Sequence, residues 1–551
     1  MKNFCRVMGM ALSMPLGFLG VATASATPIP HGGTIYTVPG VGIAPPAAVN
    51  GFNPLLTSSA YDSQVEGNLY AGLLWINRRF AINFNESIAK QIIVGPHHRS
   101  FTVLLHHFWR WSDGQPVTTA DIAYTYHMIL KLGPLYPGYD TGGIPKEIKS
   151  FQVLSPYAFR IVTTRPVNPQ WFELSGLSQL TPYPKQAWSK YSVQQLNDNM
   201  TNLKFFKVVD GPFQLESFHP GRYVSIVPNP HYSGPNPPHV ARVVFRFLNS
   251  NAGVFFALKR GAIQLGNLPN PLYPARKQLT NYRLHLAGPI WGFNYLGFNF
   301  ANPHIAFIRN VLVRRAIMHA IDQDLMIKVI AYGHGSRAYG LIPTHPDTFL
   351  SPEAKALLRK GEYDPARAKQ LLREAGWHRG PDGIREKNGR KLEFTLYMPP
   401  QMVRGPTLLT QMLGAVGIEV HLREKPFNEV YAEMIDPHNT HWQAVYLGWS
   451  QSAFPTGGSI FRCGGAQNSY HYCNAEMDRL QDAIRVHTGL KALYIYQNYF
   501  TEQQPVIVLP DWNLFIMAAK NIHGLQRALP PLGGFNPQFL WIDPEAKKTK
   551  E

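Results

Sequence analysis

The chain has 551 residues, 45% of them hydrophobic and 12% aromatic, with 52 basic against 34 acidic side chains and a formal charge of +18. That much apolar material supports a large folded core and excludes a disordered or low-complexity chain. The basic residues are scattered, apart from the short tail Lys547-Lys548-Thr549-Lys550, and no nucleic-acid-binding motif accompanies them, so nucleic acid is not an expected partner.

Residues 1–26 read as a secretory signal. Lys2 and Arg6 form a basic start, Val7 to Val21 a short apolar stretch, and Ala24-Ser25-Ala26 an A-x-A cleavage site before Thr27. Cys5 precedes the apolar stretch, so it is not placed to carry a lipoprotein's lipid. The expectation is a periplasmic protein that is not lipid-anchored. No later run approaches the ~18 apolar residues of a membrane span. Few carboxylates in an exported chain also fit acidic surroundings, because fewer groups must be protonated as pH falls.

Along the chain, Asn53-Pro54-Leu55 is followed by Asn68-Leu69-Tyr70-Ala71-Gly72-Leu73-Leu74. Next comes Trp109-Arg110-Trp111-Ser112-Asp113-Gly114-Gln115-Pro116-Val117-Thr118-Thr119-Ala120-Asp121. Ser112-Asp113-Gly114 is a turn between a strand and a helix. Thr118 and Asp121 are spaced as an N-cap and a first-turn acid. Ile122, Tyr126, Ile129 and Leu130 make one apolar helix face, which Gly133-Pro134 ends. Gly211-Pro212-Phe213 and Asn229-Pro230-His231-Tyr232 mark a strand pair. Val313 to Asp322 reads as a helix, with Asp322 placed to cap the next one, which ends at Gly333. Asp364 then caps a helix with Pro365 at its first position, apolar Ala368, Leu371 and Leu372, and Gly376 just past its end.

The order and spacing of these segments resemble the extracytoplasmic solute-binding proteins of family 5, the peptide-binding components of ABC importers. The stretch from Trp111 to Asp121 is similar to their W-S-D-G-x-P-[LV]-T-A-x-D signature, and Tyr363-Asp364-Pro365 with Leu371-Leu372 to their Y-D-P-x-x-A-x-x-L-L segment. The resemblance implies an α/β, two-lobed periplasmic binding protein-like fold (type II, large form), with an additional inserted domain and a ligand cleft between lobes. It implies a discontinuous first lobe over 27–62, 195–285 and 500–551, an inserted domain over 63–194, and a second lobe over 286–499. It also implies capture of a peptide or peptide-like solute by lobe closure and delivery, as a monomer, to an ABC permease and ATPase, with no catalysis, cofactor or resident metal.

Gly448-Trp449-Ser450-Gln451-Ser452 resembles the family's G-W-x-x-D segment, whose acid pairs with a peptide's α-ammonium. Gly448 and Trp449 match, and Ser452 stands at the acid's position. The opening loop with Ser58 and Ser59 is expected to face the same cleft, and it too lacks an acid. An ammonium buried without a counter-charge is costly, so these positions favour a neutral or anionic solute, a sugar-like solute or an amine-blocked peptide. The alternative is an acid supplied from elsewhere, such as Asp62 or Asp436. Core packing competes with ligand stacking as the role of Trp449.

Cys463 and Cys473 are the two cysteines beyond the signal, and an oxidising compartment favours their pairing over free thiols or a metal site shared with His471. A secreted hydrolase is the rival class. No H-E-x-x-H, G-x-S-x-G or Walker A motif is present, and His106 and His107 sit on an alternating segment that sends neighbours to opposite faces. Binding of an oligosaccharide or a metal chelate in the same fold remains the other reading.

Overall fold

A computed structural model describes residues 29–42, 47–57, 59–248, 250–436, 438–458, 460–465 and 467–544. The expected signal, 1–26, lies outside them. The described chain is built on four main sheets. The first has the order Thr34–Thr37, Arg242–Arg246, Tyr223–Pro228, Phe213–His219. Its first pair is parallel although some two hundred residues separate the strands, and the others are antiparallel. Buried Ile35, Val224, Ile226 and Val243 hold this sheet against the core.

A second sheet is the antiparallel set Tyr282–Ala287, Leu514–Ala519, Leu265–Asn267. The third has five strands in the order Glu419–Glu424, Glu393–Met398, Ala444–Ser450, Gly292–Phe298, Ile507–Leu509. It is parallel at one end and antiparallel at the other. The fourth is an antiparallel meander-like set, Ala89–Val94, Ser100–Leu105, Ala158–Thr163, Ile148–Ser155.

The chain passes twice between the second and third sheets. It leaves Ala287 to enter Gly292, and leaves Leu509 to enter Leu514. The strands flanking these crossings are hydrogen-bonded to one another on both sides, so the two short connections run side by side. Asn294 Nδ2 donates to Pro510 O at 3.0 Å between them. Paired short connections between two packed bodies are the geometry of a hinge.

The helix Thr119–Leu132 shows how local sequence sets the elements. Thr118 and Asp121 form a full capping box, and Gly133 at φ 54° ends the helix. Its buried face is Ile122, Thr125, Tyr126, Met128, Ile129 and Leu132. Leu130, expected on that face, is 49% exposed, because the buried stripe follows 122, 125–126, 129 and 132 at helical spacing. The segment before the turn is no ladder strand; it makes one bridge, Arg110 to Pro116. Trp109 and Trp111 there are fully buried scaffold. Asp322 and Asp364 cap the helices Gln323–Ala331 and Pro365–Glu374, and Gly376 takes φ 84° just beyond the latter. The helix Ala60–Leu69 is tied to distant segments: Gln64 accepts from Gly40 N, Asp62 from Asn50 N, and Asn68 donates to Phe535 O.

Candidate functional site

Ser452 is delivered by the strand Ala444–Ser450 as it runs out of the five-stranded sheet. Gln451 N donates to Trp291 O, and Gln451 Oε1 accepts from Gly457 N at 2.8 Å, which folds the loop back on itself. Ser452 Oγ donates to Phe454 O at 2.8 Å. Ser452 O accepts from Trp291 Nε1 at 2.8 Å. Trp291 lies on one hinge connection, is 2% exposed and stacks on Phe80 with ring centres 3.8 Å apart. The loop bearing Ser452 is thus fastened to the hinge.

Facing it is a wall from the first half of the chain. Residues Phe172–Gly176 form a π-turn that presents Ser175, whose Oγ is 3.0 Å from Ser452 Oγ. Single π-turns recur at functional sites. The loop 138–143 lies on this turn so closely that a side chain at Gly142, already at φ +60°, would put its Cβ 2.1 Å from Gly176 N. Only glycine fits there. The third wall is the helix Ala475–Val486, which carries Gln481 and Arg485. Together these segments line a narrow cleft with a cavity volume of about 30 Å³, bordered by Asp140, Trp171, Ser175, Ser452, Gln481 and Arg485 among others.

The cleft is polar and carries both signs of charge. Burial pulls the Arg485 guanidinium below its usual range, and the nearby Arg462 adds to this while Asp140, Asp482 and Glu147 oppose it. Arg485 lies over the Trp171 ring at 5.6 Å. Behind it Arg462 grips Asp482 with two bonds of 2.8 and 3.1 Å. Arg165 grips Glu147 at 2.6 and 3.1 Å. Burial works against the Glu147 charge, but the Arg165 bond and charge hold its carboxyl below the usual range. Arg485 and Asp140 are the charged residues of the lining, and Asp140 Oδ2 is held by Lys146 Nζ at 3.1 Å.

The residues expected at the site separate. Ser452 lines the cleft. Gly448 and Trp449 sit on the strand opposite Asn294 and Phe293, outside the lining, with Trp449 packed partly on the core. Ser59 Oγ caps the helix Ala60–Leu69 by accepting from Tyr61 N and Asp62 N, and Ser58 lies outside the described residues. Asp62 is used by Asn50 N, and Asp436 accepts from His438 N at a helix end; neither lines the cleft. Cys463 and Cys473 are bonded, S–S 2.13 Å, just before the helix that carries Gln481 and Arg485.

Asp140, Trp171, Ser175, Gln481 and Arg485 carry no motif, and only folding gathers them. His106 bonds Phe84 O while His107 stacks on Tyr157, so the pair does diverge. Among the described residues, no histidine lines the cleft. One group among the described residues could hold a metal: Glu393, Glu419 and His421, on the edge strand of the five-stranded sheet and its neighbour, and none of the three lines the cleft.

Residues 86–470 match the model of the bacterial extracellular solute-binding proteins, family 5 (middle region), and the chain belongs to that family. The oligopeptide-binding protein AppA of Bacillus subtilis (strain 168) is 25% identical over 502 residues, 89% of each chain. The solved structure of AppA from Bacillus subtilis in complex with a nonapeptide has a TM-score of 0.75 at 22% identity, covering 94% of this chain and 100% of that one. NikA from Brucella suis in complex with Fe(III)-EDTA also gives 0.75, at 20% identity, covering 93% and 100%. The fold is therefore the two-lobed α/β form expected from the sequence. Among the described residues no helix is long and apolar enough to cross a membrane.

Proposed function

We propose that the chain is the solute-binding component of an ABC importer and that it captures a peptide or peptide-like solute in the cleft beside Ser452. The observation that carries this reading is the cleft itself. Segments far apart in sequence meet there, and they set fixed polar groups beside the Trp171 ring. The likeness to AppA, whose name and complex concern peptides, supports a peptide over other solutes.

Capture follows from the hinge. The Ser452 loop is fixed to Trp291 on one connection, and Ser175 faces it from the other side. A solute touching both walls binds the closed form more tightly and shifts the population toward it. Gln481, Ser175 and Ser452 supply hydrogen bonds, Trp171 a ring face, and Arg485 a cation. No reaction is needed, and the solute leaves unchanged. Export by residues 1–26, a periplasmic location without a lipid anchor, the lobe boundaries given above, a monomeric state, and a permease and ATPase that receive the closed form all belong to this proposal.

Native mass spectrometry of the mature protein, with denaturing release of what co-purifies, tests it. The expected result is a single peptide-sized increment per chain and intact peptides on release. A sugar or metal chelate in that place, or release of cleaved products, overturns it.

A further inference from the structure

The strands Glu393–Met398 and Glu419–Glu424 are parallel neighbours, the second at the edge of its sheet. Their register sets Glu393 opposite Glu419 and Thr395 opposite His421. Residues two apart on a strand share a face, so Glu393, Glu419 and His421 project from one side of the sheet. The other side carries buried Phe394, Leu396 and Val420 and packs on the core. Two carboxylates directly opposite on neighbouring strands repel, and little offsets the repulsion here. Lys391 feels both, but its ammonium is held by Asp382 at 2.5 Å. His421 Nε2 lies 3.1 Å from Glu393 Oε2. Among the described residues, the Glu419 carboxylate makes no ion pair or hydrogen bond of its own. One ligand atom from each of the three side chains lies within 4.8 Å of the others.

We infer that Glu393, Glu419 and His421 form a surface site for a divalent first-row metal ion of the zinc type, which clamps the edge strand to its neighbour. Ligand atoms on a tetrahedral zinc ion with bonds near 2.0–2.1 Å lie about 3.3 Å apart. The Glu393–His421 pair already stands at that spacing, and a small rotation of the Glu419 side chain completes the set. Imidazole beside carboxylate suits zinc, nickel or copper, whereas calcium and magnesium take oxygen ligands. Three protein ligands leave the remaining coordination positions to water. The ion supplies the positive charge that the facing glutamates lack. None of the three residues lines the cleft, so the site does not depend on which solute is captured there.

The test is calorimetric titration of the chelator-treated mature protein with zinc chloride, and with magnesium chloride for comparison. The wild type is expected to show one saturable zinc site per chain that is lost in H421A and weakened about tenfold or more in E419Q, since even outer-shell changes around a metal cost that much. Magnesium should not fill it. Saturating zinc should raise the melting temperature of the wild type, because the ion binds the folded chain, and should leave that of H421A unchanged. With chelator present, E419Q should melt at or above the wild type, because it removes one of two facing like charges, and this also shows that it folds. The same zinc site and the same thermal shift in H421A as in the wild type would mean an adventitious ion only, and would overturn the site. Failure of the wild type to take up zinc, or filling of the site by magnesium as readily as by zinc, overturns it too. All of these outcomes leave the capture reading standing.

Discussion

The hydroxyls of Ser175 and Ser452 lie 3.0 Å apart across the cleft although 277 residues separate them in sequence. Ser452 belongs to a loop held by the hinge residue Trp291, and Ser175 to the π-turn of the facing wall. The bond joins the two walls at the edge of the cleft and so holds them together.

Ser452→Ala and Ser175→Ala each remove this bond. Each should speed release of bound peptide roughly 2- to 10-fold, from a net hydrogen-bond worth of about 0.5–1.5 kcal/mol. The double variant should cost less than the sum of the two, because both changes remove the same bond. Stopped-flow dissociation of the co-purified peptide measures it, and strict additivity would count against the contact.

Trp291→Ala removes a buried ring stacked on Phe80 and the donor to Ser452 O. Large-to-small changes of this kind cost about 3–5 kcal/mol. Thermal unfolding should show that loss, and peptide affinity should fall further than in a core variant of equal stability, such as Trp188→Ala, whose ring lies away from the hinge.

The bond between Cys463 and Cys473 closes a loop of separation 10. Loop-closure entropy for that size corresponds to about 2–3 kcal/mol. Replacing both cysteines by alanine should lower the melting temperature accordingly and weaken peptide binding, because the next helix carries Gln481 and Arg485. An unchanged melting temperature would mean that the helix is held by other contacts.

Stability should rise as pH falls from 8 to about 5. Burial raises the carboxyls of Asp62 to about 6, Glu66 to about 8, Glu173 to about 7 and Asp511 to about 7. A buried acid with a raised value is neutral in the folded chain where the unfolded chain has already ionised. Its contribution is therefore fully present below the unfolded value near 4 and is lost as pH climbs through the folded one. His239, His285 and His523 oppose this, since burial lowers them: their contribution is present above the unfolded value near 6.5 and is lost as pH falls through the lower folded one. Glu147 and Asp482, held low by Arg165 and Arg462, bring stability down again only below about pH 4. Scanning calorimetry from pH 4 to 8 should place the maximum near pH 5, and a higher melting temperature at pH 8 would contradict the burial of these acids.

What the sequence disclosed was local. Thr118 with Asp121, Asp322, Asp364 and Gly376 announce helix ends, because capping uses residues within four positions of each other. The cleft was legible only at Ser452, which a motif marks. Asp140, Ser175 and Arg485 come from three segments that sequence spacing does not relate, and a lone acid in a Gly- and Pro-rich loop reads as a turn residue. Leu130 departs from expectation for a related reason: an apolar residue beside the stripe has the same sequence signature as one inside it, and only the packing partner separates them.

The measurement that bears most directly on capture by closure is small-angle X-ray scattering of the mature protein, stripped of ligand by denaturant and refolded, with and without the peptides released from it. A fall in radius of gyration that saturates at one peptide per chain, with the peptide recovered intact, is the predicted result. An unchanged radius at saturation, or peptide recovered as fragments, would contradict it.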